Sequence, residues 1–173
     1  MKIGWIGAGI MGNPMVHHLL KNGHEAHVYA RHPQKVQNLV EEGAVLEESI
    51  ASLVQHSDVI CTMVGFPSDV KEVYGTIFEH IEPGKICIDF TTSSPSLAVE
   101  LAQQGKDKQV TVLDAPVTGG DAGAKQGTLT ILVGGPKETF DQLRPVFSAF
   151  GKDIFYCGVA GAGQKVKIAN QIM

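Results

Sequence analysis

The chain has 173 residues, 43% hydrophobic and 18% charged, with a formal net charge of −4 at pH 7, enough for one globular domain with a real core. The acidic balance and the lack of a basic patch argue against nucleic acid. No apolar run is long enough to span a bilayer, and the N-terminus enters a strand with no signal-peptide pattern. The cysteines Cys61, Cys87 and Cys157 are widely spaced in apolar contexts, which predicts buried reduced thiols and a cytoplasmic location.

The first predicted element is a strand at Lys2–Ile6, followed by Gly7-Ala8-Gly9-Ile10-Met11-Gly12. Met11, Met15, Val16, Leu19 and Leu20 then fall at helical spacing, and Asn22-Gly23 ends that helix. A second strand is expected at 24–29. Strand, Gly-x-Gly-x-x-Gly and helix in this order build a dinucleotide site. Gly7 permits the tight turn, Gly9 leaves room for a pyrophosphate, and Gly12 lets the helix pack close to the sheet. Ala8, Ile10 and Met11 complete the loop.

The end of the second strand reads Tyr29-Ala30-Arg31-His32-Pro33. An NAD site places a carboxylate about 20 residues after the glycines, to bind the ribose 2′-hydroxyl. None is present here, and Arg31 suits a 2′-phosphate. The segment therefore predicts NADP in preference to NAD.

Further along, helices are expected at 34–42 (stopping at Gly43), 49–55, 69–80, 95–104 and 138–149. Strands are expected at 58–64, 85–90, 110–113, 128–133 and 153–156. Continuous apolar strands between amphipathic helices predict an α/β fold, a doubly wound and mainly parallel sheet of Rossmann type. Met63-Val64-Gly65, at a strand end, is placed to line the cofactor, although Met63 in the core is an equal reading. The seven histidines form no metal-ligand spacing. After Gly161-Ala162-Gly163 a new helix begins and the sequence stops inside it. The expected division is a dinucleotide-binding domain at 1–162 and, at 163–173, the start of a helix leading to a further domain.

Four motifs together resemble the β-hydroxyacid dehydrogenase family, which includes 3-hydroxyisobutyrate dehydrogenases, tartronate semialdehyde reductases and glyoxylate/succinic semialdehyde reductases. They are Gly7-Ala8-Gly9-Ile10-Met11-Gly12-Asn13-Pro14-Met15; Asp89-Phe90-Thr91-Thr92-Ser93-Ser94-Pro95; Asp114-Ala115-Pro116-Val117-Thr118-Gly119-Gly120 with Gly127-Thr128-Leu129 and Val133-Gly134-Gly135; and Gly161-Ala162-Gly163 with Lys167, Asn170 and Gln171. The resemblance implies an N-terminal cofactor domain. The all-helical domain that completes the family's active site, and usually its homo-oligomer, is absent from these residues.

The resemblance implies reversible hydride transfer between a nicotinamide and a small hydroxy acid, semialdehyde or 2-oxo acid. Thr118, Gly119 and Gly120 would hold the substrate carboxylate; their hydroxyl and backbone N–H groups are suitable donors. The family more often has Ser at the Thr118 position. Thr92 would touch the nicotinamide ribose or the substrate, its other reading being a helix cap that Ser93 or Ser94 serves better by position. The resemblance selects Lys167 over Lys165 as general acid/base, and partial burial would bring its pKa toward about 7–8. Asn170 or Gln171, one turn on, would orient the substrate. The alternatives are 6-phosphogluconate dehydrogenase activity, an imine reductase, and a non-catalytic dinucleotide-binding or sensor module.

Overall fold

The computed structural model describes residues 1–172; Met173, the last residue of the predicted 163–173 segment, lies outside them. β1 (Lys2–Ile6) leads through α1 (Gly12–Lys21) to β2 (Glu25–Tyr29). A 3-10 turn at Pro33–Val36 and α2 (Gln37–Glu41) then lead to β3 (Val45–Leu46) at the sheet edge. α3 (Ile50–Gln55) returns the chain to β4 (Val59–Thr62) on the other side of β1. α4 (Pro67–His80), β5 (Ile86–Asp89), α5 (Pro95–Asp107) and β6 (Thr111–Asp114) continue outward. The order β3-β2-β1-β4-β5-β6 is parallel throughout. This is the doubly wound Rossmann order, reversing between β1 and β4.

Beyond β6 the chain extends through β7 (Val117–Thr118) and α6 (Gly120–Gln126) into β8 (Leu129–Gly134). β8 runs antiparallel to both β6 and β7. α7 (Lys137–Gln142) and α8 (Arg144–Phe150) lead to β9 (Gly151–Gly158), parallel to β8, and α9 (Ala162–Ile172) follows.

Alternation along β1 feeds two cores. Ile3 and Trp5 face one with Met15, Val16, Phe90 and Phe150, while Ile6 joins Leu53, Ile60 and Tyr74 in the other. Trp5 is fully buried. It stacks on Phe90 at 5.5 Å, meets Phe150 edge-on, and donates from Nε1 to the Gly7 carbonyl at 3.3 Å. The largest side chain of the strand thus sits directly beneath the glycine turn.

Three expectations change. The predicted 138–149 helix is two helices parted at Leu143, because Pro145 in the first turn of α8 cannot donate a backbone N–H. The 34–42 helix is a 3-10 turn followed by five residues of α2. Cys157 is only half-buried, because β9 pairs with β8 alone and lies at the margin of the sheet, whereas Cys61 and Cys87 are buried free thiols. β3, β7 and α6 were not foreseen: two residues carry no periodicity, and α6 is rich in glycine and alanine. Among the described residues, no helix is long and apolar enough to cross a membrane.

Candidate functional site

The strand order reverses at β1 and β4, and open α/β sheets bind ligands beyond the carboxyl ends of such a pair. The three glycines after β1 are constrained differently. Gly7 has φ +98°, and a Cβ there would lie 2.1 Å from the Met63 carbonyl oxygen. At Gly12 a Cβ would lie 2.1 Å from the Gly7 carbonyl oxygen and 2.9 Å from Trp5 Nε1. At Gly9 it would meet nothing within 4 Å. Protein contacts therefore explain Gly7 and Gly12, whereas no contact among the described residues calls for a glycine at position 9. Open space over Gly9, before the first N–H groups of α1, fits a pyrophosphate. Ala8 and Met11 are half-buried against the core, whereas Ile10 is exposed.

Arg31 is exposed, two residues past β2. The segment after it is tied to α1 by a reciprocal amide pair, Asn13 Nδ2 to Asn38 Oδ1 at 3.0 Å and Asn38 Nδ2 to Asn13 Oδ1 at 2.8 Å. On the β4 side, Met63 and Val64 follow the strand and are half-buried. The Val64 N–H donates to Thr91 Oγ1 at 3.0 Å, joining this loop to the turn after β5. Thr92 is exposed on that turn; Ser94 caps α5 by accepting from the Leu97 N–H at 3.1 Å, so Thr92 is not the cap.

Lys167 stands on α9 and is 8% exposed. Its Nζ donates to Thr118 Oγ1 at 3.0 Å, so two residues 49 apart in sequence meet beyond the carboxyl end of β6. Burial lowers the lysine's pKa from its ordinary value, because the ammonium loses hydration without gaining an anion. Thr118, Gly119 and Gly120 are exposed beside it, and Gly119 (φ +135°) turns the chain from β7 into α6. Asn170 and Gln171 are exposed one turn further along α9, on the side of Lys167.

Residues 2–158 match the family model for the NAD-binding domain of 6-phosphogluconate dehydrogenase. The chain belongs to this family. The NAD-binding domain is 48% identical to the uncharacterized oxidoreductase YkwC of Bacillus subtilis, over 98% of the chain and 60% of that protein. It is 44% identical to the probable 3-hydroxyisobutyrate dehydrogenase-like 1, mitochondrial, of Arabidopsis thaliana, over 99% of the chain and 52% of that protein. The 3-hydroxyisobutyrate dehydrogenase of Mycobacterium tuberculosis, solved with L-serine, superposes with a TM-score of 0.95 at 32% identity. That match covers 99% of the chain and 59% of the other. The resemblance to β-hydroxyacid dehydrogenases is thereby borne out, and the chain spans little more than half the length of these relatives.

In this NAD-binding domain, two buried polar side chains missed as positioning groups, Asp114 and Gln164, hold α9 in register. Asp114 accepts from the Gly161 N–H at 2.8 Å and the Gln164 N–H at 3.0 Å, satisfying the start of the helix. Gln164 is fully buried, donates from Nε2 to the Thr91 carbonyl at 2.8 Å, and accepts from the Ser93 N–H at 3.0 Å. It lies one turn before Lys167, so the lysine is keyed to the turn that carries Thr92. The Val133-Gly134-Gly135 and Gly161-Ala162-Gly163 motifs serve the same packing: a Cβ on Gly163 would lie 2.3 Å from the Leu132 carbonyl oxygen. A signal was available in the sequence, since Asp89 and Asp114 each stand alone at the end of an apolar run.

Asp89 Oδ1 accepts from Thr62 Oγ1 at 3.0 Å and from the Thr91 N–H at 3.1 Å. Burial pushes its carboxyl from 3.8 up to about 6; hydrogen bonds from Thr91 and Thr62 oppose the rise, and the neighbouring Asp114 adds to it. The folded state therefore holds this proton more tightly than the unfolded chain does. Stability from this group is complete below about pH 4 and is lost as pH rises through 6, by about 3 kcal/mol. Asn keeps the acceptor oxygen and carries no charge. Asp89→Asn is expected to flatten the fall in denaturant stability between pH 4 and pH 7. An unchanged slope would contradict this assignment.

Proposed function

We propose that the full-length protein carrying this domain is an oxidoreductase that moves a hydride between NADP(H) and a small hydroxy acid or semialdehyde. The contact of buried Lys167 with Thr118, beyond the sheet's carboxyl end, carries this reading. Thr118 and the backbone of Gly119 and Gly120 hold the substrate carboxylate. Lys167 donates a proton to the carbonyl oxygen in reduction and takes it back in oxidation, and its lowered pKa suits both directions. Asn170 or Gln171 orients the substrate. Gly7, Ala8, Gly9, Ile10, Met11 and Gly12 would cradle the pyrophosphate, with Met63, Val64 and Thr92 toward the nicotinamide. When bound, the nicotinamide supplies or accepts the hydride.

L-serine in the mycobacterial relative, a carboxylate with a β-hydroxyl, supports the substrate class. The share of its relatives that the chain covers supports reading 163–173 as the start of a helix into a further, helical domain. That domain would complete the pocket and the homo-oligomer. A cytoplasmic location belongs to the same reading, supported by the free cysteines. The test is NADPH oxidation by the full-length protein against glyoxylate and succinic semialdehyde. Dinucleotide binding without turnover would favour a sensor instead.

Arg31 sets the cofactor preference in this proposal. NADPH is expected to bind more tightly than NADH, and Arg31→Ala to remove about 10–100-fold of NADPH affinity, the worth of a hydrogen-bonded charge pair. NADH affinity should not change. Equal affinities for both dinucleotides in the unmodified protein would reduce Arg31 to a loop charge.

A further inference from the structure

At the β2–β3 edge, across β1 from Lys167, three side chains from separate elements converge. His27 stands mid-β2, Glu47 follows β3, and His56 closes α3. One ligating atom from each lies within 4.8 Å of the others. His27 Nδ1 is 2.7 Å from Glu47 Oε2, and His56 Nδ1 is 2.9 Å from the same oxygen. The backbone builds this meeting. β2 pairs with β3 at His27 and Val45, and the Glu47 N–H donates to the Val28 carbonyl at 2.8 Å. The single short helix α3 then returns His56 to the same point.

The surroundings have the pattern of a metal centre. A ligating histidine ordinarily gives its second ring N–H to a carboxylate, and ligating carboxylates are themselves hydrogen-bonded. Glu25 Oε2 lies 2.9 Å from His27 Nε2, which leaves Nδ1 to face inward. Ser52 Oγ donates to Glu47 Oε1 at 3.0 Å and holds the other carboxylate oxygen. His27 and Glu47 are buried, whereas the His56 side chain is 57% exposed. The cluster therefore has two fixed inner ligands and an outer one reached from solvent. Two imidazoles and one carboxylate are a donor set for zinc-like divalent ions, with a fourth position to spare.

We propose that His27, Glu47 and His56 bind a divalent transition-metal ion of the zinc class, which ties α3 to the β2–β3 edge. The site needs neither Lys167 nor a bound dinucleotide, so its test is independent of the proposed activity. Tag-free full-length protein, stripped with chelator, is titrated with Co²⁺ by visible absorption and with Zn²⁺ by calorimetry. One saturable site per chain is expected, with Zn²⁺ displacing Co²⁺. The thermal midpoint should rise with Zn²⁺ concentration, because the ion binds the folded state. His56→Ala, at an exposed position, should weaken binding by at least about 100-fold, and Glu25→Gln by about 10–100-fold, each measured on variants whose circular dichroism matches the unmodified protein. His17→Ala, at a half-buried histidine on α1 away from the cluster, should leave it intact. No saturable binding, or binding that His56→Ala does not alter, would overturn the proposal and leave a hydrogen-bonded His–Glu cluster.

Discussion

Lys167→Ala in the full-length protein is expected to lower kcat by about 10²–10⁴-fold, the usual worth of a positioned general acid/base. Dinucleotide affinity should stay near that of the unmodified protein, because the glycine cradle lies on β1 and α1. The expectation follows from what surrounds the amine. Lys167 is 8% exposed, and its amine donates to a neutral hydroxyl. A lysine placed to stabilise the fold would be paired with a carboxylate; this one is desolvated beside a threonine, which disfavours its charge. Lys167→Arg is the sharper variant, since guanidinium keeps its proton throughout the working pH range. If the amine only fixed an anion, arginine would restore much of the rate. If it transfers a proton, arginine should be nearly as slow as alanine. Near-normal turnover in Lys167→Ala would end the proposed mechanism.

The parts of the molecule legible in sequence share a physical trait: each repeats over several residues. β1 is legible to its ends because the apolar-rich segment Lys2–Ile6 runs straight into a glycine turn. The doubly wound sheet follows from the alternation of apolar strands and amphipathic helices between β1 and β6. The two-residue strands β3 and β7 lack such repetition, and their existence depends on partners far away in sequence. The same holds for the site. Lys167 and Thr118 could be chosen by resemblance, but the means of bringing them together could not. That means is a chain of buried hydrogen bonds, from Asp114 to the start of α9 and from Gln164 to the turn after β5. Each bond joins residues 47 to 73 apart, a separation no local pattern encodes. The convergence of His27, Glu47 and His56 was hidden for the same reason.

Gly7→Ala and Gly9→Ala are expected to fail in opposite ways, although the two residues are only two positions apart in the same loop. At Gly7 the new Cβ would lie 2.1 Å from the Met63 carbonyl oxygen on a backbone held at φ +98°. Neither the strand end nor the β4 loop can yield without opening the sheet. The combined strain and overlap should cost about 3–5 kcal/mol, in the range reserved for severe core damage. At Gly9 the Cβ meets no atom within 4 Å, and the backbone is outside the left-handed region. Stability should therefore stay within about 1 kcal/mol of the unmodified protein. The methyl does occupy the space proposed for the pyrophosphate, and overpacking a close contact weakens it by about 1–3 kcal/mol, or about 5–150-fold in affinity. Denaturant melts and NADPH titrations on both variants separate the outcomes. If Gly9→Ala binds NADPH as tightly as the unmodified chain, the open space above Gly9 does not hold the phosphates. The glycine there would then be a feature of the turn alone.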